Sequence, residues 1–489
     1  MQRFKSRSYE IIGRKQEQRD LGLWRDSGKP EFIAVYGRRR IGKTFLVKQF
    51  FKNKFDFYIT GAYNASKKDQ LFNFKMTLQQ FSGKSRKTPS TWLEAFFQLR
   101  EYLESLGKRR KMVFIDELPW FDTPRSNFIS AIELFWNQWA SDQNIMLIVC
   151  GSATSWMVNK LLGDKGGLHN RVTHSMYLAP FTLGETEEFL KYNGVVFNRH
   201  QVVECYMMLG GTPYYLNMLR PDQSLPQNIN RLFFGETAEL WREFDFLFRS
   251  LFKDSIVYRK VVEILSKNSV GMTRKQIVEA GKLNDGGKLS EVIDDLCNCD
   301  FIKRFRSFDK KQREVVYQLT DLFSLFYIKY VKDANDMDES LWTDIIDSPS
   351  HRTWTGYAFE QVCLHHIRQI KQALGISGIQ CSICSWQTAS RVDSDGNRHE
   401  GGQIDLVIDR RDQTINLCEM KFSMGKYEIT PQYLRHLTDR RELFRRTTGS
   451  SKALHLTMVT TYGIAHNAQS GMIQSEVTMD DLFKATVKG

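Results

Sequence analysis

Gly37-Arg38-Arg39-Arg40-Ile41-Gly42-Lys43-Thr44 constrains this 489-residue chain more than any other stretch. It follows the apolar run EFIAVY (31–36) and runs directly into the helical pattern KTFLVKQFF. A glycine loop between a strand and a helix can curl with its backbone N–H groups inward and receive an anion. The helix beginning near Lys43 adds the positive end of its dipole. The spacing GxxxxGKT assigns the parts. Residues 37–42 wrap the phosphates, Lys43 reaches the β- and γ-phosphates of ATP, and the Thr44 hydroxyl binds Mg2+. Arg38, Arg39 and Arg40 are expected on the outer side of the loop.

Val113-Phe114-Ile115-Asp116-Glu117 supplies the partner strand. Its apolar residues predict a buried strand, and two carboxylates emerge at the C-terminal end, where open α/β sheets bind ligands. Asp116 is placed to hold magnesium through water, and Glu117 to orient and polarise the attacking water. A third apolar run, IMLIVC (145–150), and helical patterns at 92–106 and 128–140 complete an alternation of strands and helices. That alternation predicts a parallel sheet with helices on both faces.

After about residue 185 the pattern turns helical, broken by Gly210-Gly211-Thr212-Pro213. Residues 251–332 read as three helices and a β-hairpin, the pattern of a winged helix. DANDMDESLWTDIIDSPS (333–350) reads as a linker to a last segment, 351–489, that again mixes helix and strand. The fold class expected is therefore multidomain α/β. A P-loop core (1–184) and a helical lid (185–250) precede the winged helix (251–332) and a C-terminal α/β domain (351–489).

The net charge of +13 favours a polyanionic partner such as nucleic acid, DNA first. No apolar run approaches the roughly 18 residues needed to cross a bilayer. The opening MQRFKSRSYEIIGRK has no apolar stretch of the signal-peptide kind, so the expectation is a cytoplasmic protein without a membrane partner. Cys381 and Cys384 have zinc-knuckle spacing, but no second pair follows at metal-ligand distance.

On the residues just quoted, the chain resembles the archaeal-type ATPases of the AAA+/STAND group, over nearly its whole length. GRRRIGKT and FIDELPW are similar to that group's Walker A and Walker B motifs. Ile11-Ile12-Gly13-Arg14-Lys15 resembles its opening motif near the adenine, with Lys15 where a glutamate is usual. The resemblance implies a γ-phosphate sensor at Ser152, an arginine finger at Arg171 that can act across a homo-oligomer, and a nucleotide contact at Pro213 of the lid.

Lys303, Arg304, Arg306, Lys310, Lys311 and Arg313 make the hairpin of the central segment basic, against Asp309. Such a hairpin can straddle a phosphate backbone. The helix before it carries Glu291, Asp294 and Asp295, which repel DNA, so packing within the chain is the stronger expectation.

In the last segment, Asp405 starts one strand (GQIDLVI) and Glu419 and Lys421 share a face of the next (LCEMK). Two carboxylates beside a lysine can hold magnesium and position water. Glu360, expected where a helix opens after Phe359, can join them. The arrangement resembles the PD-(D/E)xK nuclease superfamily, a restriction-endonuclease-like fold. It implies metal ligands at Asp405 and Glu419, a water-orienting Lys421 and a helical acid at Glu360.

The leading expectation is an ATP-hydrolysing switch or motor that works with nucleic acid and carries a magnesium-dependent nuclease domain. Its rivals are a regulatory ATPase whose C-terminal domain is an inactive binding module, and a scaffold that binds ATP but scarcely hydrolyses it.

Overall fold

The computed structural model describes residues 10–163, 168, 170–235, 237–252, 254–308, 315–334, 340–392, 398–399 and 401–486. Among them no helix is long and apolar enough to cross a membrane. The chain divides into two compact units, Met1–Pro180 and Phe181–Gly489.

The first unit is built on five parallel strands: β1 (Glu31–Tyr36), β2 (Phe57–Thr60), β3 (Lys111–Asp116), β4 (Ile145–Gly151) and β5 (His174–Tyr177). Their order across the sheet is β2-β3-β4-β1-β5. β4 is buried at every residue, because a parallel sheet is covered on both faces and its strands lose their alternation. Successive side chains nevertheless face opposite ways. Phe32, Ala34, Val113 and Ile115 pack with α3 (Lys67–Ser82), α4 (Trp92–Ser105) and α5 (Phe128–Gln138). Ile33, Val35, Phe114 and Ile148 pack on the other face with Leu21 of α1 (Lys15–Arg25) and with Leu46 and Val47 of α2 (Lys43–Phe50). Ser66 and Thr91 start α3 and α4 by accepting from the backbone N–H groups of Asp69 and Glu94.

The second unit begins with helices Leu183–Tyr192, Arg199–Leu209, Leu225–Phe233 and Glu243–Leu251. Helices Ser255–Ser266, Arg274–Gly281 and Gly287–Asn298 follow, with strands β6 (Met272–Thr273), β7 (Ile302–Ser307) and β8 (Val315–Leu319). After helix Pro349–His365 come β9 (Cys381–Thr388), β10 (Arg391–Val392), β11 (Arg398–His399), β12 (Gly402–Arg410), β13 (Thr414–Lys421), β14 (Ala453–Thr460) and β15 (Ser475–Thr478).

Two sequence expectations change here. Within the stretch read as a linker, Leu341–Ile345 is a helix, and Trp342, 2% exposed, packs on Phe326 with ring centroids 5.1 Å apart. The hairpin β7–β8 also continues the C-terminal sheet, whose order is β15-β14-β13-β12-β9-β7-β8-β6. β7 runs parallel to β9 through Arg306 with Cys384 and Ser307 with Ser385. Phe308 then donates its N–H to Ser385 O at 3.1 Å and sets its ring on Phe444. Arg304 forms an ion pair with Asp294, so the acidic helix is partly neutralised by the hairpin beside it. Lys310, Lys311, Arg313 and Asp309 lie outside the described residues.

One buried histidine ties the start of this unit to its C-terminal helices. His366 is fully buried, accepts the Leu183 N–H on Nε2 at 2.9 Å, and faces Val362 O with Nδ1 at 2.7 Å. These partners require the neutral ring with its proton on Nδ1. Burial lowers its pKa to about 4. The unfolded chain takes up a proton near pH 6.5 and the folded one does not, so this contribution is full above 6.5 and falls as pH drops toward 4. The expected loss is about 1.4 kcal/mol per pH unit in that window. His366→Gln, which cannot titrate, should flatten the denaturant midpoint against pH between 6.5 and 4; an unchanged slope would contradict this.

Candidate nucleotide site and C-terminal carboxylate cluster

The glycine loop leaves the C-terminal end of β1 and turns into α2. Gly37 has φ +141°, and a Cβ there would meet Leu178 O at 2.4 Å, so the loop is seated on the backbone that follows β5. Arg40 and Gly42 also have positive φ, 72° and 87°, and Gly42 is the N-cap of α2. Lys43 is buried and folds back over this loop, donating from Nζ to Gly37 O at 2.9 Å and Arg38 O at 2.7 Å. Ile41 O is 3.4 Å from Nη2 of Arg14, a buried guanidinium from the opening motif. The expectation that Arg38, Arg39 and Arg40 all lie outside fails at Arg38: it is 6% exposed, while Arg39 is exposed and Arg40 half-buried.

β3 brings its two carboxylates to this end of the sheet. The Thr44 hydroxyl lies 2.9 and 3.1 Å from the oxygens of Asp116. Burial, with the charge of Glu117 adding, pushes the Asp116 pKa up to about 6 against the opposing Thr44 hydrogen bond and Lys43 charge. Glu117 sits at φ +49°, a left-handed conformation that strains a residue with a Cβ. Its Oε2 accepts from Ser152 N at 3.0 Å and from Ser152 Oγ at 2.8 Å, so the residue after β4 holds the glutamate in place.

Arg171 stands elsewhere. Thr173 N donates to Phe32 O, and His174 pairs with Ile33. Arg171 is therefore exposed beyond the N-terminal end of β5, whereas the loop leaves the opposite end of β1. At about 3.3 Å per residue, the five steps from Phe32 to Gly37 span about 16 Å, beyond the reach of its side chain. A phosphate contact by Arg171 within its own chain is corrected by this register. Pro213 opens helix Pro213–Leu216 in the second unit.

Residues 12–219 match the family described as an ATPase domain predominantly from Archaea. This segment is an ATPase domain of the archaeal type. An uncharacterized protein of Methanocaldococcus jannaschii, MJECL04, is 24% identical over 418 residues, 84% of this chain and 87% of that one. The uncharacterized ATP-binding protein MJ0423 of the same organism is 44% identical over 44 residues, 9% of this chain and 75% of that one. Among solved structures, the Walker-type ATPase paby2304 of Pyrococcus abyssi is 17% identical, with 67% of this chain and 98% of that one covered at a TM-score of 0.49. The site residues of the ATPase domain named above from Gly37 to Ser152 all fall inside the matched segment.

The C-terminal cluster lies wholly in the second unit. Leu406 pairs with Cys418 across β12 and β13, which sets Asp405 opposite Glu419. The β12–β9 register shifts between Ile404 and Val407, so Asp405 and Leu406 lie in an irregular step of the strand. Glu360 does not open a helix: it lies in the second half of Pro349–His365, and the helix is started by Ser348 far upstream. Burial pushes the carboxyls of Glu360 and Asp405 up, with neighbouring carboxylates adding to the effect. Glu419 goes the other way, because Lys421 and Arg440 outweigh its burial.

Sequence reasoning missed two partners of Glu419. Lys421 Nζ donates to Oε1 at 2.8 Å, but so does the Tyr433 hydroxyl at 3.0 Å, and Arg440 Nη1 donates to Oε2 at 2.8 Å. Tyr433 and Arg440 come from helix Pro431–Thr448, two turns apart and thus on one face. Among the described residues no group of three or more His, Cys, Asp or Glu side chains is placed to hold a metal ion, and all eight cysteines are free thiols.

Proposed function

We propose that the chain hydrolyses ATP at the 37–44 loop and uses the cycle to switch a nucleic-acid-directed C-terminal module. In this reading 185–250 is the nucleotide lid, with Pro213 at its contact, 251–332 a winged helix, and 351–489 a nuclease-like domain. The observation that carries the ATPase reading is the pairing of Thr44 with Asp116 beside a Glu117 held by Ser152. The backbone N–H groups of the loop and Lys43 bind and orient the phosphates. Thr44 and Asp116 are the hard oxygen donors that Mg2+ takes, and they would hold it here. When bound, the ion offsets charge developing on the phosphates. Glu117 orients a water and accepts its proton. Phosphate release from ATP by the purified chain tests this, with Lys43→Ala as the control.

Arg171 enters this scheme through a second copy of the chain. Turnover per chain should then rise with protein concentration in the wild type and stay flat and low in Arg171→Ala. Identical turnover at every concentration would remove Arg171 from the reaction.

For the C-terminal module, a nuclease is expected to lose magnesium-dependent cleavage in Asp405→Ala, Glu419→Ala and Lys421→Ala, each by roughly 10²-fold or more. Lys421→Ala should keep metal affinity, because an ammonium cannot ligate a cation. Cleavage that survives Lys421→Ala would place the site on other residues. The engagement of both Glu419 oxygens by Lys421, Tyr433 and Arg440 favours a second reading, in which the module binds nucleic acid or a regulator without cutting. Deleting 351–489 would then change ATPase rate or DNA affinity although no cleavage is seen.

A further inference from the structure

Helix Arg199–Leu209 carries His200, which is 6% exposed and stacks on Phe422 with ring centroids 4.5 Å apart and planes 29° from parallel. Phe422 directly follows Lys421 in the chain. It also meets Phe359, 5.4 Å away and fully buried, which directly precedes Glu360. A helix of the proposed lid therefore touches the backbone neighbours of two cluster residues through three rings. Among the described residues His200 Nε2 has no hydrogen-bond partner, and Nδ1 is 3.8 Å from Glu204, so stacking rather than hydrogen bonding fixes the ring. The same helix is fastened nearby by Arg199, which pairs with Asp480 at 2.9 Å and lies over the Phe483 ring.

We propose that His200 is a positioning residue for Lys421 and Glu360, and that movement of helix Arg199–Leu209 changes how the cluster receives a nucleic-acid backbone. The proposal rests on the lid and nucleic-acid readings given above. Packed rings shift between discrete arrangements rather than yielding gradually, so a displaced His200 must carry Phe422 and Phe359 with it or lose their contact. Lys421 and Glu360 are the next residues along those two backbones. Binding of nucleotide and of nucleic acid would then be coupled, and the coupling would be reciprocal.

Fluorescein-labelled single- and double-stranded DNA, titrated with and without the slowly hydrolysed analogue ATPγS, measures this directly. The wild type is expected to change DNA affinity about fivefold or more on adding nucleotide. His200→Ala should bring that ratio to about one while leaving the affinity for nucleotide alone unchanged. His200→Phe keeps a stacking ring and should restore the ratio, and Phe422→Leu should weaken it as alanine at 200 does. A full ratio in His200→Ala, or no rescue by phenylalanine, overturns the proposal. Wild-type protein that binds DNA equally well with and without nucleotide also overturns it, while leaving the nucleic-acid reading standing. Wild-type protein that binds no DNA ends both.

Discussion

Lys43→Ala is expected to abolish ATP hydrolysis, with a fall in turnover of roughly 10²- to 10³-fold, the usual cost of removing one preorganised donor from a developing charge. The lysine is buried over the loop and bonded to Gly37 O and Arg38 O, so its ammonium is held on the loop proposed to bind the phosphates. Arg39 is exposed, and the buried Arg14 guanidinium lies 3.4 Å from Ile41 O. Alanine is an excellent helix former at this first position of α2, so the fold should survive. Steady-state turnover and circular dichroism on the same sample separate the two effects; wild-type turnover in the variant would remove the loop from the reaction.

Glu117→Gln should keep ATP binding and slow hydrolysis by roughly 10²- to 10⁴-fold, the range for a lost general base. Glutamine keeps a carbonyl oxygen for the two Ser152 donors, so the left-handed backbone at 117 and the position of Ser152 need not change. What disappears is the charge that draws a proton from water. Nucleotide affinity by fluorescence and turnover by phosphate release are the two readings. A variant that loses binding as well would make Glu117 a structural residue whose task is to hold Ser152.

The candidate nucleotide site was legible because its signals are local. The eight residues from Gly37 to Thr44 carry the loop, and the apolar run before Asp116 announces a buried strand. The two strands that sequence reading passed over, β2 and β5, are four residues each and sit at the sheet edges, where β2 buries alternate residues and β5 buries Met176 alone. Such short half-buried runs carry little periodicity. β5 was the costlier omission, because its direction decides where Arg171 stands. The placement of Arg38 was equally hidden, since a charged residue in a loop gives no local sign of being buried.

In the second unit, local patterns gave the elements but not their assembly. The helices, the basic hairpin and the Asp405 and Glu419 strands are each visible from period and turn residues. That β7 adds to β9 is a pairing between residues about 80 positions apart, and nothing in either strand specifies it. Trp342 in the supposed linker was a missed signal: a tryptophan with a nearby aromatic partner is rarely left in an open connection. Arg440 and Tyr433 were visible only as part of an ordinary basic helix, and their significance depends on Glu419 lying beneath them.

Phosphate release over many turnovers by the purified chain, with ATP and Mg2+ and with EDTA as the block, tests the central claim most directly. The ATPase reading predicts sustained release that stops with EDTA and falls to background in both Lys43→Ala and Glu117→Gln. Release that is no higher in the wild type than in Lys43→Ala, or that continues unchanged in Glu117→Gln, would contradict it.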